Sequence, residues 1–477
     1  MNYDTNHIKG SSLQFKIKDN FMLGNSTAQK LYEVAKRLPV IDPHNHVDPA
    51  ALAENKPFEN IYQLWIKPDQ YKNRVMRQLG IHEKLITGSS SDYEKYMAWV
   101  QSLQHTIGNP IFHWSCMELK ILFRINEVLT VQNAEQIWHD VNALLQKDEF
   151  SPVNIVKKFG VELLCTSDDL LDSLEHHIQF KNQQEFISCL PSLRGDSILA
   201  FQQPQYKSWL ARLEAITGIQ IENLELYKEA VAFRLNFFDE VGCLLSDHSL
   251  DTGFQFILTD ETTAAELFVK VLQNENLAES KLVQLQSYML NFLGVEYAKR
   301  KWKMQLHIGA NRFTSSRLRE VAGPAGGYAC IGNTVNVPSL CRFLDSLDIN
   351  NHLPKTILYN LNPGDNAVFA SLSGSFSEDG VQGKIQFGPA WWFNDHEQGI
   401  TQQLITLSSY GLLGTSIGMT TDSRSILSFV RHDYFRRILC NLLGGWAEDS
   451  KIPADINFLT PLVENISYHN IKNWIKK

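Results

Sequence analysis

LPVIDPHNHVDP, Leu38 to Pro49, is the stretch from which the fold is read. A short apolar run, Pro39-Val40-Ile41, leads into His44 and His46 with one residue between them. On extended backbone, residues two apart point to the same side, so both imidazoles can reach one ion. Neutral imidazole suits zinc or a similar divalent cation. The pair alone is a weak signal, because a chain with 15 His meets such a spacing often by chance. Its position, where a first barrel strand would end, turns it into a test. The rest of the chain must supply more strands and more ligands.

Strands come first. Short apolar runs ending in polar or Gly/Pro residues recur at VELLCTSDD (161–169), FISCLPSLRGD (186–196) and VGCLLSDHS (241–249). They continue at KMQLHIGANR (303–312), KTILYNLNPGD (355–365), KIQFGPAWWFND (384–395) and SIGMTTDSR (416–424). Stretches long enough for helices separate most of them, among them Leu224–Asp239, Leu282–Arg300 and Gly399–Leu413. With the opening strand, this alternation predicts eight strands and a parallel (β/α)₈ barrel of the α/β class.

Residues 50–155 read instead as a helical insertion after the first strand, partly covering a site. Its tryptophans Trp65, Trp99, Trp114 and Trp138 read as core packing. Residues 1–25 form an extension before a helix near Thr27–Arg37, whose face carries Leu31, Val34 and Ala35. No repeat or long linker marks a boundary, so 1–477 is expected to be a single barrel domain.

Composition narrows the partners. Apolar content of 44% and charged content of 20% describe an ordinary globular protein. A net charge of −8 argues against nucleic-acid and anionic membrane surfaces. An anionic substrate must then be held by a local arginine cluster. Seven cysteines without a CxxC pair suggest reduced, mostly buried thiols. With no signal pattern and no apolar run of transmembrane length, the expected location is the cytoplasm. No nucleic-acid or membrane partner is expected, and the oligomeric state, homo-oligomer included, is left open.

Barrel enzymes carry their chemistry at the carboxyl ends of the strands. Here those ends hold His44/His46, Asp168/Asp169, Arg194, Asp247/His248, His307/Arg312, Asn362/Asp365, Trp391/Asp395 and Asp422/Arg424. First and last strands are neighbours in a closed barrel, which makes Asp422 a candidate third ligand beside the two histidines. It could equally serve as a base, or cap the following helix. Arg194, Arg312 and Arg424 converge from three strands, and guanidinium groups bind carboxylates through paired hydrogen bonds. The substrate predicted is a small organic anion.

At this point the chain resembles uronate isomerase (glucuronate isomerase), a divergent branch of the metal-dependent amidohydrolase superfamily. The resemblance runs from about residue 25 to the C-terminus. It is carried by HTIGNPIFHW (105–114), CTSDDLLDSLEHH (165–177), LPKTILYNLNP (353–363), QFGPAWWFND (386–395) and GMTTDSRSILSFVRHDYFRRILCNLLG (418–444). It implies a distorted barrel that interconverts glucuronate with fructuronate and galacturonate with tagaturonate. It implies one divalent metal, usually zinc, at His44, His46 and Asp422. Tyr71 in PDQYK, Arg194, Asp247, His307, Arg312 and Arg424 fall on the family's active-site positions, and Tyr71 would otherwise read as a surface aromatic.

Aldose–ketose isomerisation moves one proton from C2 to C1 through a cis-enediol and another between the oxygens. The expected roles are proton transfer by Asp422 or Tyr71, with His307 polarising or protonating the oxygens. Arg194, Arg312 and Arg424 would position the carboxylate and hydroxyls, Asp247 would hold a hydroxyl, and Gln70 and Trp391 would contact substrate. Arg424 counts among the catalytic group as well. The chain departs from the family at Gln70, where His is typical, at Asn73, where Trp is usual, and at Ala329, where Asp is common. NRFTSSR also replaces an Asn-rich run. These changes bear on substrate choice and rate, so a different acid sugar remains a reading. A metal-dependent hydrolase of the wider superfamily and a catalytically dead sugar-acid binder compete with it.

Overall fold

The computed structural model describes residues 17–324 and 326–477, so most of the expected 1–25 extension lies outside the described residues. Among the described residues, parallel strands follow one another around a wall in chain order. They are β1 (Val40–Asp42), β2 (Val161–Cys165, continued at Asp168–Asp169) and β3 (Ser188–Leu190, continued at Ser192–Arg194). Next come β4 (Leu245–Leu250), β5 (Lys303–Ile308), β6 (Thr356–Asn360) and β7 (Ile385–Phe387). Each pairs in parallel with the next. Pro191 has no N–H to give a ladder, and β3 breaks there. The wall therefore divides into a three-stranded sheet and a six-stranded sheet, with the second halves of β2 and β3 on the six-stranded side.

The eighth strand expected at 416–424 does not form. Asp422 stands at φ 46°, in the left-handed region, and this interrupts extended pairing. Asp422 N–H donates to the His44 carbonyl at 3.1 Å, while His46 N–H donates to the Ser423 carbonyl at 2.9 Å. Two residues thus span the place of one, as in a β-bulge. Side chains complete the seam. The fully buried Asp42 accepts Thr420 Oγ1 at 2.8 Å, Thr421 N–H at 3.0 Å and Thr421 Oγ1 at 2.5 Å.

Helices cover the outside because their apolar faces meet the wall. Leu224–Val241 starts at the Asn223 N-cap and stops at Gly242, whose φ of 115° suits a residue without a Cβ. Glu279–Lys299 and Glu397–Tyr410 pack similarly, with buried Leu285, Leu290, Leu293, Leu404 and Leu407. The first helix, Ser26–Ala35, buries Leu31 and Ala35 and leaves Val34 half-buried. Between β1 and β2 the described chain is helical throughout its regular elements, from Pro49–Glu54 to Pro152–Lys158. Trp65, Trp99 and Trp114 are buried in its core, and Trp138 is half-buried. All cysteines are free, five of them buried. No described helix is long and apolar enough to cross a membrane.

Candidate active site

The residues following the strands meet in a cleft of about 240 Å³. His44, His46, Arg194, Asp247, His307, Arg312, Trp391, Asp422 and Arg424 all line it, together with Gln70. The first group comes from the strand ends, as the barrel reading predicts. Gln70 comes from the helix Gln70–Gln78, whose start is set by Asp69. The Asp69 carboxylate accepts Tyr71 N–H at 2.9 Å and Lys72 N–H at 3.3 Å, a standard N-cap arrangement.

His44 Nε2 and His46 Nε2 each lie 3.1 Å from the same oxygen, Asp422 Oδ1. Asp422 does not cap the next helix; Ser425 does, accepting Leu427 N–H at 3.3 Å. Burial opposes ionisation of Asp422, but the two rings hold its carboxyl well below the usual range. Burial brings His46 down to about 4, so this ring is neutral at pH 7. Two imidazoles and one ionised carboxylate converging on one point form a donor set that fits a divalent cation. The strain at Asp422 buys that convergence, and the Asp42 network over-determines it.

A second group shares His44. His307 Nδ1 lies 2.7 Å from Asp247 Oδ1, and Ser167 Oγ donates to Asp247 Oδ2 at 2.8 Å. Burial raises Asp247, yet His307, His44 and Arg194 hold it well below the carboxylate range. Burial lowers His307 despite Asp247. The ring is therefore neutral, with Nδ1 within ion-pair distance of Asp247 and Nε2 facing no described partner. That Nε2 atom is buried without a hydrogen-bond partner among the described residues, as is Trp391 Nε1. Orphaned buried polar atoms beside a cleft mark where a ligand would bind. The His307 ring is fixed by stacking on Tyr359 at 4.4 Å and by the edge of Trp391 at 4.6 Å.

The arginines differ among themselves. Arg312 donates to Asp251 at 2.9 Å and to Ser249 Oγ at 2.9 Å. Arg194 donates to Asp196 at 3.1 Å. Arg424, half-buried, makes no hydrogen bond or ion pair with any described residue. Burial disfavours its cation, the nearby Asp422 charge favours it, and the charges of Arg194 and Arg312 again disfavour it. An anion in the cleft would offset that repulsion at Arg424.

Some expected residues stand elsewhere. Asp168 is buried and accepts Thr166 Oγ1 at 2.7 Å, while Asp169 is held by Ser197 and Trp209. His248 points at Tyr297, at 2.8 Å. Asn362 caps a short turn, and Asp365 accepts Val335 N–H at 2.7 Å. These serve loop geometry, because a strand end also needs its backbone groups satisfied. Tyr71 does not line the cleft; its hydroxyl donates to Asp395 at 3.0 Å. Sequence reasoning missed Ser249, Phe313, Gly327 and Trp392 as lining residues. Ser249 was findable, two residues beyond Asp247 on the same strand face.

A strand-wound barrel with an HxH pair closing on a seam aspartate belongs to the amidohydrolase-like metal-site barrels. Comparison with known proteins makes the assignment specific. The glucuronate isomerase family model matches residues 13–475. Uronate isomerase of Caldanaerobacter subterraneus subsp. tengcongensis is 43% identical over 459 residues, covering 96% of this chain and 98% of that protein. Uronate isomerase of Haemophilus influenzae is 43% identical over 461 residues, covering 96% and 99%. Among solved structures, uronate isomerase from Thermotoga maritima superposes with a TM-score of 0.91 at 31% identity, covering 96% of this chain and 99% of that one. Glucuronate isomerase from Caulobacter crescentus shares the fold, with a TM-score of 0.89 at 23% identity over 97% of each chain. The chain belongs to the glucuronate isomerase family, and it is an enzyme.

Proposed function

We propose that the protein is an aldose–ketose isomerase of hexuronates, interconverting D-glucuronate with D-fructuronate and D-galacturonate with D-tagaturonate. The observation that carries the reading to this chain is Arg424. It is a cation without a partner among the described residues, flanked by two more arginines, in the same cleft as a three-residue metal set. A sugar acid has the carboxylate for the first and the vicinal oxygens for the second.

His44, His46 and Asp422 would hold one divalent cation, with zinc the best fit to two imidazoles and a carboxylate. When bound, that ion would act as a Lewis acid toward substrate oxygens and organise the site. The chain's own groups do the proton work. Asp422, ionised at pH 7, would remove the C2 proton and return it to C1. His307, neutral with an open Nε2, accepts the O2 hydroxyl proton and delivers it to O1. Both protons are conserved overall, and the substrate changes only in where they sit. Burial and Asp395 push the Tyr71 hydroxyl well above its ordinary value, so Tyr71 stays protonated, donates to Asp395 and does not serve as a base. Arg424, Arg312 and Arg194 fix the carboxylate and hydroxyls; Asp247 orients His307, and Trp391 Nε1 and Gln70 contact substrate oxygens. The whole chain would act as one barrel domain in the cytoplasm, on a small-molecule substrate.

The test is an NMR time course of the zinc-loaded protein in D₂O with D-glucuronate and D-galacturonate in separate tubes. Ketouronate signals are expected, and their relative rates give the epimer preference; deuterium at C1 measures how far the proton held on Asp422 exchanges with solvent before its return. No turnover of either sugar by protein of confirmed metal content would overturn the reading.

A further inference from the structure

Behind the cleft lies a buried ion pair that no step above uses. Arg431, in the first turn of the helix Val430–Glu448, has a side chain only 1% exposed. Its Nη1 donates to Asp395 Oδ2 at 3.2 Å and to the Thr421 carbonyl at 3.1 Å. Trp114 lies 4.0 Å from the guanidinium and the Tyr71 ring 5.0 Å. Asp395, in the loop after β7, is 3% exposed, and the same Oδ2 accepts the Tyr71 hydroxyl. One carboxylate oxygen therefore joins Tyr71 to Arg431, and one guanidinium nitrogen joins that oxygen to the peptide preceding Asp422.

Burying such a pair costs desolvation that its attraction offsets only with good geometry. Here the geometry is incomplete, since Arg431 Nε and Nη2 have no hydrogen-bond partner among the described residues. For a fold staple this is a poor design, because an apolar replacement would cost less. What the pair does achieve is connection. Tyr71 enters from the helical insertion and Asp422 from the barrel seam, far apart in sequence, and this bridge links them.

We propose that Asp395 and Arg431 are positioning residues for the isomerisation, Asp395 holding the Tyr71 hydroxyl and Arg431 tying that carboxylate to the backbone of Asp422. Tyr71, on the helical insertion, and the base Asp422, on the seam, then keep a fixed relation through turnover. The proposal rests on the hexuronate isomerase reading. Burial raises Asp395 to about 6 against the pull of Arg431, so at pH 7 it is mostly the carboxylate that accepts the Tyr71 hydroxyl.

The experiment is a double-mutant cycle in the full-length, zinc-loaded protein. Asp395→Asn, Tyr71→Phe and their combination are compared for kcat and KM on the hexuronate the wild type prefers, with metal content measured alongside. Arg431→Lys serves as the conservative second variant. Asp395→Asn is expected to lower kcat about tenfold or more with KM within about threefold and metal content unchanged. The double variant should be no slower than Tyr71→Phe alone, because Asp395 acts through Tyr71. Losses that multiply, or wild-type kcat in Asp395→Asn, would overturn the proposal. So would a loss of kcat that tracks lost metal, which marks a structural staple.

Absence of wild-type turnover would instead remove the isomerase reading itself. A 3-fluorotyrosine placed at position 71 still decides the contact in that case. Its ¹⁹F resonance should move on Asp395→Asn, and an unmoved resonance would overturn the proposal.

Discussion

The barrel wall and its seam hold their functional groups by different means. From β4 to β6 the strands pair without a shift, Leu245–Leu250 opposite Lys303–Ile308 and Met304–Ile308 opposite Thr356–Asn360. Asp247 and His307 sit on this regular wall, and Arg312 follows just beyond it. At the seam between β1 and residues 416–424, ladder pairing fails and side chains take over, with Thr420 and Thr421 closing on Asp42. Asp422 stands there at positive φ. A regular strand delivers side chains at fixed spacing to one face, which suits groups that line a cleft. Bringing three ligand atoms to one point needs a backbone that departs from that spacing. The seam provides the departure, and its buried network holds it in place.

The sharpest test of the contrast is Asp422→Asn, which removes the seam's charged oxygen and leaves the wall intact. We expect kcat to fall about 1,000-fold, within the range for losing a general base. Near-normal turnover by NMR would end the assignment of Asp422. Next in size is Arg424→Met. Losing one charge-assisted hydrogen bond to a substrate carboxylate, about 1.5–3 kcal/mol, should raise KM by roughly 10- to 150-fold. An unchanged KM in steady-state kinetics would show that the unpaired guanidinium binds no substrate.

Asp42→Ala tests whether the seam depends on its side chains. It strands the Thr420 and Thr421 donors in a buried site, at a cost of about 2 kcal/mol. The expected result is a lower midpoint in thermal unfolding together with weaker zinc retention in a chelator competition. If stability drops and zinc retention does not, the seam network supports only the fold. The smallest effect is expected at the cleft rim. Gln70→His should change the glucuronate-to-galacturonate ratio of kcat/KM by less than about tenfold, because it alters one half-buried contact. A larger change would make this rim position a determinant of substrate choice.

Much of this was legible in the chain, and the exceptions share a cause. His44, His46, Arg194, Asp247, His307, Arg312 and Asp422 could be picked because strand-end residues fall at the end of recognisable apolar runs. Asp168, His248, Asn362 and Asp365 satisfied the same rule, yet they turn away from the cleft to satisfy loops and neighbouring helices. Arg431 gave no signal, since a basic residue in a helical stretch reads as solvated until the fold buries it. The missing eighth strand was equally invisible, because TTDSR carries nothing that announces positive φ at its aspartate.

By itself, the sequence determined the α/β alternation, the helical insertion and the residue types that could carry metal and acid-sugar chemistry. These follow from local periodicity and side-chain chemistry, which act over a few residues. Only the tertiary structure decided which strand-end residues share the cleft, that Arg424 lacks a partner among the described residues, and that Tyr71 is turned toward Asp395. Those depend on burial and on partners hundreds of residues away, and neither is encoded in any single stretch of the chain.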